Sequence, residues 1–199
     1  MIPISLSSFN TDIGGVLEEI KRRGADASIV GQRILRHLLV NTADSSAIAS
    51  TASETNYSLN EALSSSFFYP GRIFKLTAAG VYSTTGTPTL VFKILFGSTT
   101  LLTFTAKTGI NNASNQSWRI EAEITCRSNG ATGTVMVDGT LFFNTAAGVD
   151  TVESVTNNAA VTVDTTTPAN LQISATWSAS FSSNTTTMKK FKVELSDYV

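Results

Sequence analysis

From residue 70 onward the chain alternates apolar and polar positions with a period of two, the pattern of strands with one buried face. In SWRIEAEITCRS, Trp118, Ile120, Ala122, Ile124 and Cys126 share one face, while Arg119, Glu121, Glu123, Thr125 and Arg127 share the other. Asn129-Gly130 follows, a dipeptide suited to a tight hairpin turn. The alternation resumes through Val135, Val137, Gly139, Leu141 and Phe143, so a long hairpin is predicted. LQISATWSASF repeats the pattern, with Leu171, Ile173, Ala175, Trp177, Ala179 and Phe181 inside and Gln172, Ser174, Thr176, Ser178 and Ser180 outside. KKFKVEL sets Phe191, Val193 and Leu195 against Lys190, Lys192 and Glu194, with a turn over 182–187 before it. Upstream, the stretch from Pro70 divides at 84–89 and 97–99 into three strands. Phe74, Leu76, Ala78, Gly80 and Tyr82 line one face of the first, and Leu90, Phe92, Ile94 and Phe96 one face of the second.

Strands are therefore expected near residues 34–41, 46–59, 72–83, 88–97, 100–106, 116–128, 131–144, 171–182 and 188–196. Short strands at regular spacing, with turn signals and no intervening helices, predict an all-β fold. The expected form is an antiparallel jelly-roll-like β-sandwich of about 8–10 strands. Periodicity leaves the connectivity open.

The start of the chain has a different period. Ile13, Val16, Leu17 and Ile20 recur at i, i+3, i+4 and i+7, with Asn10, Thr11 or Asp12 as an N-cap and Gly24 as a stop. A short amphipathic helix is predicted over 11–23, with Glu18 and Glu19 early and Lys21, Arg22 and Arg23 late, in the sense that suits the helix dipole. Gly14 and Gly15 each weaken it by about 1 kcal/mol relative to alanine, so this helix needs a surface to lie on. Residues 26–40 fit either a second helix or a first strand; strand is favoured from about 33, since no helix stop signal follows. The predicted division is an arm over 1–32 and a sandwich over 33–199.

Composition then narrows the function. Of 199 residues only 15% are charged, 14 Lys+Arg against 15 Asp+Glu, and 29 Thr with 24 Ser make up about a quarter of the chain. A net charge of −1 offers no broad field for a phosphate backbone, which argues against nucleic acid as a partner. No stretch of 18 apolar residues is present to span a membrane, and MIPISLSSFN lacks the charged leader and apolar core of a secretory signal. The single cysteine, Cys126, excludes an intrachain disulfide framework and a cysteine-ligated metal cluster, and the single histidine, His37, excludes two-His metal motifs. No cofactor is implied.

The candidate chemistry is sparse. A triad using His37 has no G-x-S-x-G elbow beside it. Glu121 and Glu123, two residues apart on one strand and so about 6–7 Å apart, could serve glycoside hydrolysis. Arg119 and Arg127 share their face, however, and an alternating charged row is the ordinary solvent face of a sheet; Asp138 reads the same way on the next strand. Trp118 and Trp177 could stack on sugar rings, but both occupy the apolar register and are expected in the core, as is Cys126. The Asn-x-Ser/Thr triplets at Asn56, Asn112, Asn115 and Asn184 reflect composition.

The residues Arg72, Ala78-Ala79-Gly80 and Tyr82-Ser83-Thr84-Thr85-Gly86-Thr87-Pro88-Thr89, with the apolar strand after them and the SWRIEAEITCRSNGATGTV hairpin, resemble the jelly-roll structural proteins of tailed-phage virions. The resemblance covers residues 35–196 and leaves out the arm. It implies a particle protein, often trimeric: a head decoration or cement protein, or a tail-associated module. The expectation is a non-enzymatic virion protein on the outer capsid surface, a homotrimer whose partner is the major capsid protein. In that reading the arm, with Phe9, Ile13, Val16, Leu17 and Ile20 as apolar anchors and Arg22 and Arg23 beside them, is the partner interface. The competing expectations are a tail-associated receptor- or carbohydrate-binding module, which needs an exposed tryptophan, and a hydrolase, which needs Glu121 or Glu123 in a cleft with a second acid.

Overall fold

The computed structural model describes residues 33–146 and 149–198. The chain divides into two units, Met1–Ile34 with Tyr198–Val199, and Leu35–Asp197. The helix expected over 11–23, with Phe9, Ile13, Val16, Leu17, Ile20, Arg22 and Arg23, lies outside the described residues, as does the side chain of His37.

Thirteen strands are described in chain order: β1 (Arg33–Val40), β2 (Ile48–Ala49), β3 (Thr55–Leu63), β4 (Ile73–Ser83), β5 (Thr89–Phe96), β6 (Thr99–Thr103), β7 (Lys107–Thr108), β8 (Gln116–Ser128), β9 (Gly133–Ala146), β10 (Val149–Thr156), β11 (Val161–Val163), β12 (Ala169–Trp177) and β13 (Thr185–Tyr198). A single 3-10 turn, Ser65–Phe67, is the one helical element described. One sheet runs β1-β13-β4-β8-β9-β10, with β11 also on β9 and β2 on β13; the other runs β3-β12-β5-β6, with β7 on β5. The strand pairs whose register is described are all antiparallel. The result is the expected jelly-roll-like sandwich.

Period-two alternation is why these segments make two sheets with a shared core. Along β4 the even positions Phe74 to Tyr82 are buried and the odd ones from Lys75 to Ser83 are half-buried; β8 repeats this with Trp118 through Cys126 buried. The buried sides face each other. Phe92 of β5 lies 4.8 Å from Trp118 of β8, Tyr57 of β3 lies 5.7 Å from the same indole, and Tyr82 stacks on Phe143 at 4.6 Å. Two glycines in this core make room for close approach. A Cβ on Gly80 would fall 2.6 Å from the Trp118 ring, and one on Gly139 would fall 2.8 Å from Leu102 Cδ2 of the opposite sheet. An apolar void between the sheets, lined by Leu63, Phe74, Phe96 and Ile124 among others, is about 10 Å³, room for no more than a water molecule. Turns follow local chemistry: Phe96 pairs with Thr99, which leaves Gly97-Ser98 as a two-residue loop with Gly97 at φ 57°.

Several expectations need correction. The strand placed over 171–182 ends at Trp177, because the chain there crosses from one sheet to the other; Ala179 is half-buried and Phe181 is exposed. Gln172 and Ser174, expected outside, are buried. Each hydroxyl or amide finds a partner there: Gln172 Nε2 donates to Gly97 O at 2.9 Å and Ser174 Oγ to Glu54 Oε1 at 2.7 Å, beside a register shift where β12 meets β3. The strand expected over 46–59 is broken into β2 and β3 around Ser50, whose φ of 55° is left-handed. Strands β7, β10 and β11 were not anticipated.

Candidate functional site

The charged row expected on one face of a strand, Glu121 and Glu123 with Arg119, lies on the outer face of the eight-stranded sheet. Antiparallel register places Glu194, Lys75, Glu123 and Asp138 in one row across β13, β4, β8 and β9, and Lys192, Thr77, Glu121 and Thr140 in the next. These rows form an open trough. Within it Lys75 Nζ sits 2.7 Å from Glu123 Oε1, Lys192 Nζ sits 2.8 Å from Glu194 Oε1, and Arg119 reaches Glu121 at 3.5 Å. Partial burial, and then repulsion from Glu123 directly opposite, push the Asp138 carboxyl above its ordinary value.

This geometry separates the candidate acids from a glycosidase arrangement. Glu121 and Glu123 do share a face, as expected, but each carboxylate is held by a cation and the Glu121 side chain is half exposed at 50%. Charges so placed stabilise one another weakly through solvent. The trough is a shallow sheet surface, and among the described residues no three carboxylate, His or Cys side chains converge as metal ligands would. One row further along, Lys190, Ala79, Arg119, Phe142 and Val152 lie in line, with the Arg119 guanidinium 4.4 Å above the Phe142 ring and Val152 59% exposed.

Trp118 and Trp177 are both fully buried, so neither forms a sugar platform. Trp118 Nε1 donates to Thr186 Oγ1 at 3.1 Å, and Tyr57 OH is 2.7 Å from the same oxygen, which itself donates to Val81 O at 3.3 Å. One threonine thus satisfies two buried aromatic donors and uses its own proton. Burial also raises the Tyr57 phenol far above its ordinary value. Cys126 is buried, with its thiol pushed up by desolvation against the opposing influence of Arg72.

Two polar networks had no sequence signal, because their members come from distant segments. On the outer face of the five-stranded sheet, Glu54 accepts from Lys93 Nζ at 2.6 Å and from Ser174. The Lys93 hydrogen bond holds its carboxyl below the ordinary range in spite of partial burial. Serine, lysine and carboxylate meet there, yet Ser174 is only 1% exposed, so no substrate carbonyl can reach its oxygen. At the edge of the sandwich, Glu153 of β10 accepts from the Thr105 backbone N–H and from Lys107 Nζ at 2.9 Å, and so fastens one sheet to the other.

No protein-family model and no curated protein matches the chain. Among solved structures, one similar chain is a protein of unknown function from Shewanella oneidensis MR-1, 8% identical, with a TM-score of 0.38, covering 100% of this chain and 97% of that one.

Proposed function

We propose that this is a non-enzymatic virion structural protein of a tailed phage, a decoration or cement protein that binds the outer capsid shell as a homotrimer. The observation that supports it is how the apolar residues are divided. Among the described residues, both tryptophans and most of the strand-register apolar side chains lie in the sandwich's own core. The sequence separately carries an amphipathic stripe, Ile13, Val16, Leu17 and Ile20, with Phe9 before it and Arg22 and Arg23 after it, as the candidate attachment pattern. A molecule that bridges neighbouring major capsid protein subunits favours the assembled shell by mass action, since it binds that state and not separated subunits. The buried tryptophans count against the alternative of a tail-associated carbohydrate-binding module.

The test is cosedimentation of purified protein with capsids that lack it, comparing the wild-type chain with the double variant Val16→Asp/Leu17→Asp. Wild type is expected to pellet with the shells and the variant to stay in the supernatant. Wild-type protein left in the supernatant overturns the reading, and equal pelleting of both removes the arm from it.

A further inference from the structure

Asn129-Gly130 is the one Asn-Gly step in the chain, and its chemistry is separate from any attachment role. An asparagine followed by glycine is the step least hindered toward cyclisation, because the attacking backbone nitrogen belongs to a residue without a Cβ. Asn129 is solvent-exposed at the β8–β9 turn. In a free chain the Gly130 nitrogen, losing its proton, would attack Asn129 Cγ. The new N–Cγ bond forms as the Cγ–Nδ2 bond breaks, ammonia leaves with the proton, and a succinimide results. Water then opens the ring to aspartate or isoaspartate.

The fold engages the nucleophile of this reaction. Gly130 N–H donates to Thr165 Oγ1 at 2.8 Å, and Thr165 in return bonds the Gly130 carbonyl through its backbone N–H at 3.0 Å and its hydroxyl at 3.2 Å. The same carbonyl accepts from Gly133 N at 3.0 Å, which closes the turn. Thr165 is buried and well placed to hold the turn: a Cβ on Gly133 would fall 3.1 Å from Thr165 Cγ2 and 2.8 Å from Ser128 O. Gly130 itself stands at φ 117°, a conformation side-chain-bearing residues rarely adopt, so glycine is required here by the same turn that exposes the asparagine.

We propose that Asn129-Gly130 is a latent modification site, a spontaneous succinimide-forming step held shut in the native protein by the Thr165 clamp. Release of the clamp converts Asn129 to a carboxylate or inserts an extra methylene into the backbone, beside Ser65 and Phe68, which with Thr165 line the same small depression.

The full chain is incubated at mildly alkaline pH, and position 129 is followed by peptide mass and by isoaspartate content, for wild type, Thr165→Val and Thr165→Ser, with folding checked by circular dichroism. Folded Thr165→Val loses both hydroxyl hydrogen bonds to Gly130 and is expected to convert at least about five- to tenfold faster than wild type, the population shift that the Gly130 N–H bond alone allows. Thr165→Ser, which keeps the hydroxyl, stays near the wild-type rate. Wild type in denaturant serves as the unclamped reference and is expected to convert faster than the native protein. Equal rates for native and denatured wild type, or for folded Thr165→Val and wild type, overturn the proposal.

Discussion

Single residues carry unusual weight where one polar atom serves several buried partners. Thr186 Oγ1 accepts from Tyr57 and Trp118 and donates to Val81 O, all within the core. Replacing it by valine keeps the shape and strands two buried donors, each costing about 1–3 kcal/mol. Thr186→Val is therefore expected to lower stability by about 2–6 kcal/mol in denaturant melts, while Thr186→Ser loses less than half of that. A loss in the serine variant equal to that in valine would assign the effect to the methyl group. The hub was invisible in the sequence. Tyr57, Trp118 and Thr186 are far apart along the chain, and a threonine in a Ser/Thr-rich tract announces nothing.

At the level of elements, the strongest alternations were legible almost to the residue, and the weak ones were lost for physical reasons. β4, β5, β8 and β9 are central strands flanked by others, so one face is wholly buried and the pattern is clean. β10 is an edge strand whose inward positions include Thr151 and Glu153. It is held by its ladder to β9 and by polar ties, so it offers no apolar period to detect. Glu153 is the chief of those ties. Burial raises its carboxyl, but the Lys107 and Thr105 hydrogen bonds outweigh that and hold it below the model-compound value of 4.5. A depressed carboxyl contributes stability that is present above about pH 4.5 and is lost as pH falls through its folded value. Both partners are mostly covered, with side-chain exposures of 15% and 14%. Glu153→Gln is expected to cost about 2 kcal/mol at pH 7 by leaving Lys107 uncompensated. The gap to wild type should close as thermal melts are repeated below pH 4.5; a gap unchanged with pH would mean that the carboxylate charge is not what ties the sheets.

Over the whole molecule, the sandwich class was readable because alternation and turn residues agree through most of 70–196. The strand order was not, since pairing partners such as β4 and β13 are about a hundred residues apart and periodicity says nothing about who neighbours whom. The candidate site was half legible: Glu121 and Glu123 do share a face, but Lys75 opposite Glu123 comes from another strand and could not be foreseen. This distant pairing has a mechanical price at the C-terminal side. β13 contributes Met188, Phe191, Val193 and Leu195 to the core and covers the edge of β4. A chain ended before Thr185 is expected to show no cooperative thermal transition, whereas a cooperative melt would mean that the first twelve strands close a core without it.

The position of β12 and β13 also bears on how the protein is born. β12 lies between β3 and β5 in one sheet, and β13 between β1 and β4 in the other, yet they come last in chain order among the described strands. On the ribosome, each sheet therefore waits with a gap in its interior and two unsatisfied strand edges flanking it. Folding dominated by such late, long-range pairing is slow, on the order of milliseconds to seconds for comparable β-sandwiches. During that interval the nascent sheets present open templates to neighbouring chains. A protein made in many copies at once would meet its own edges first, so expression temperature and chaperone supply should govern its soluble yield more than native stability does.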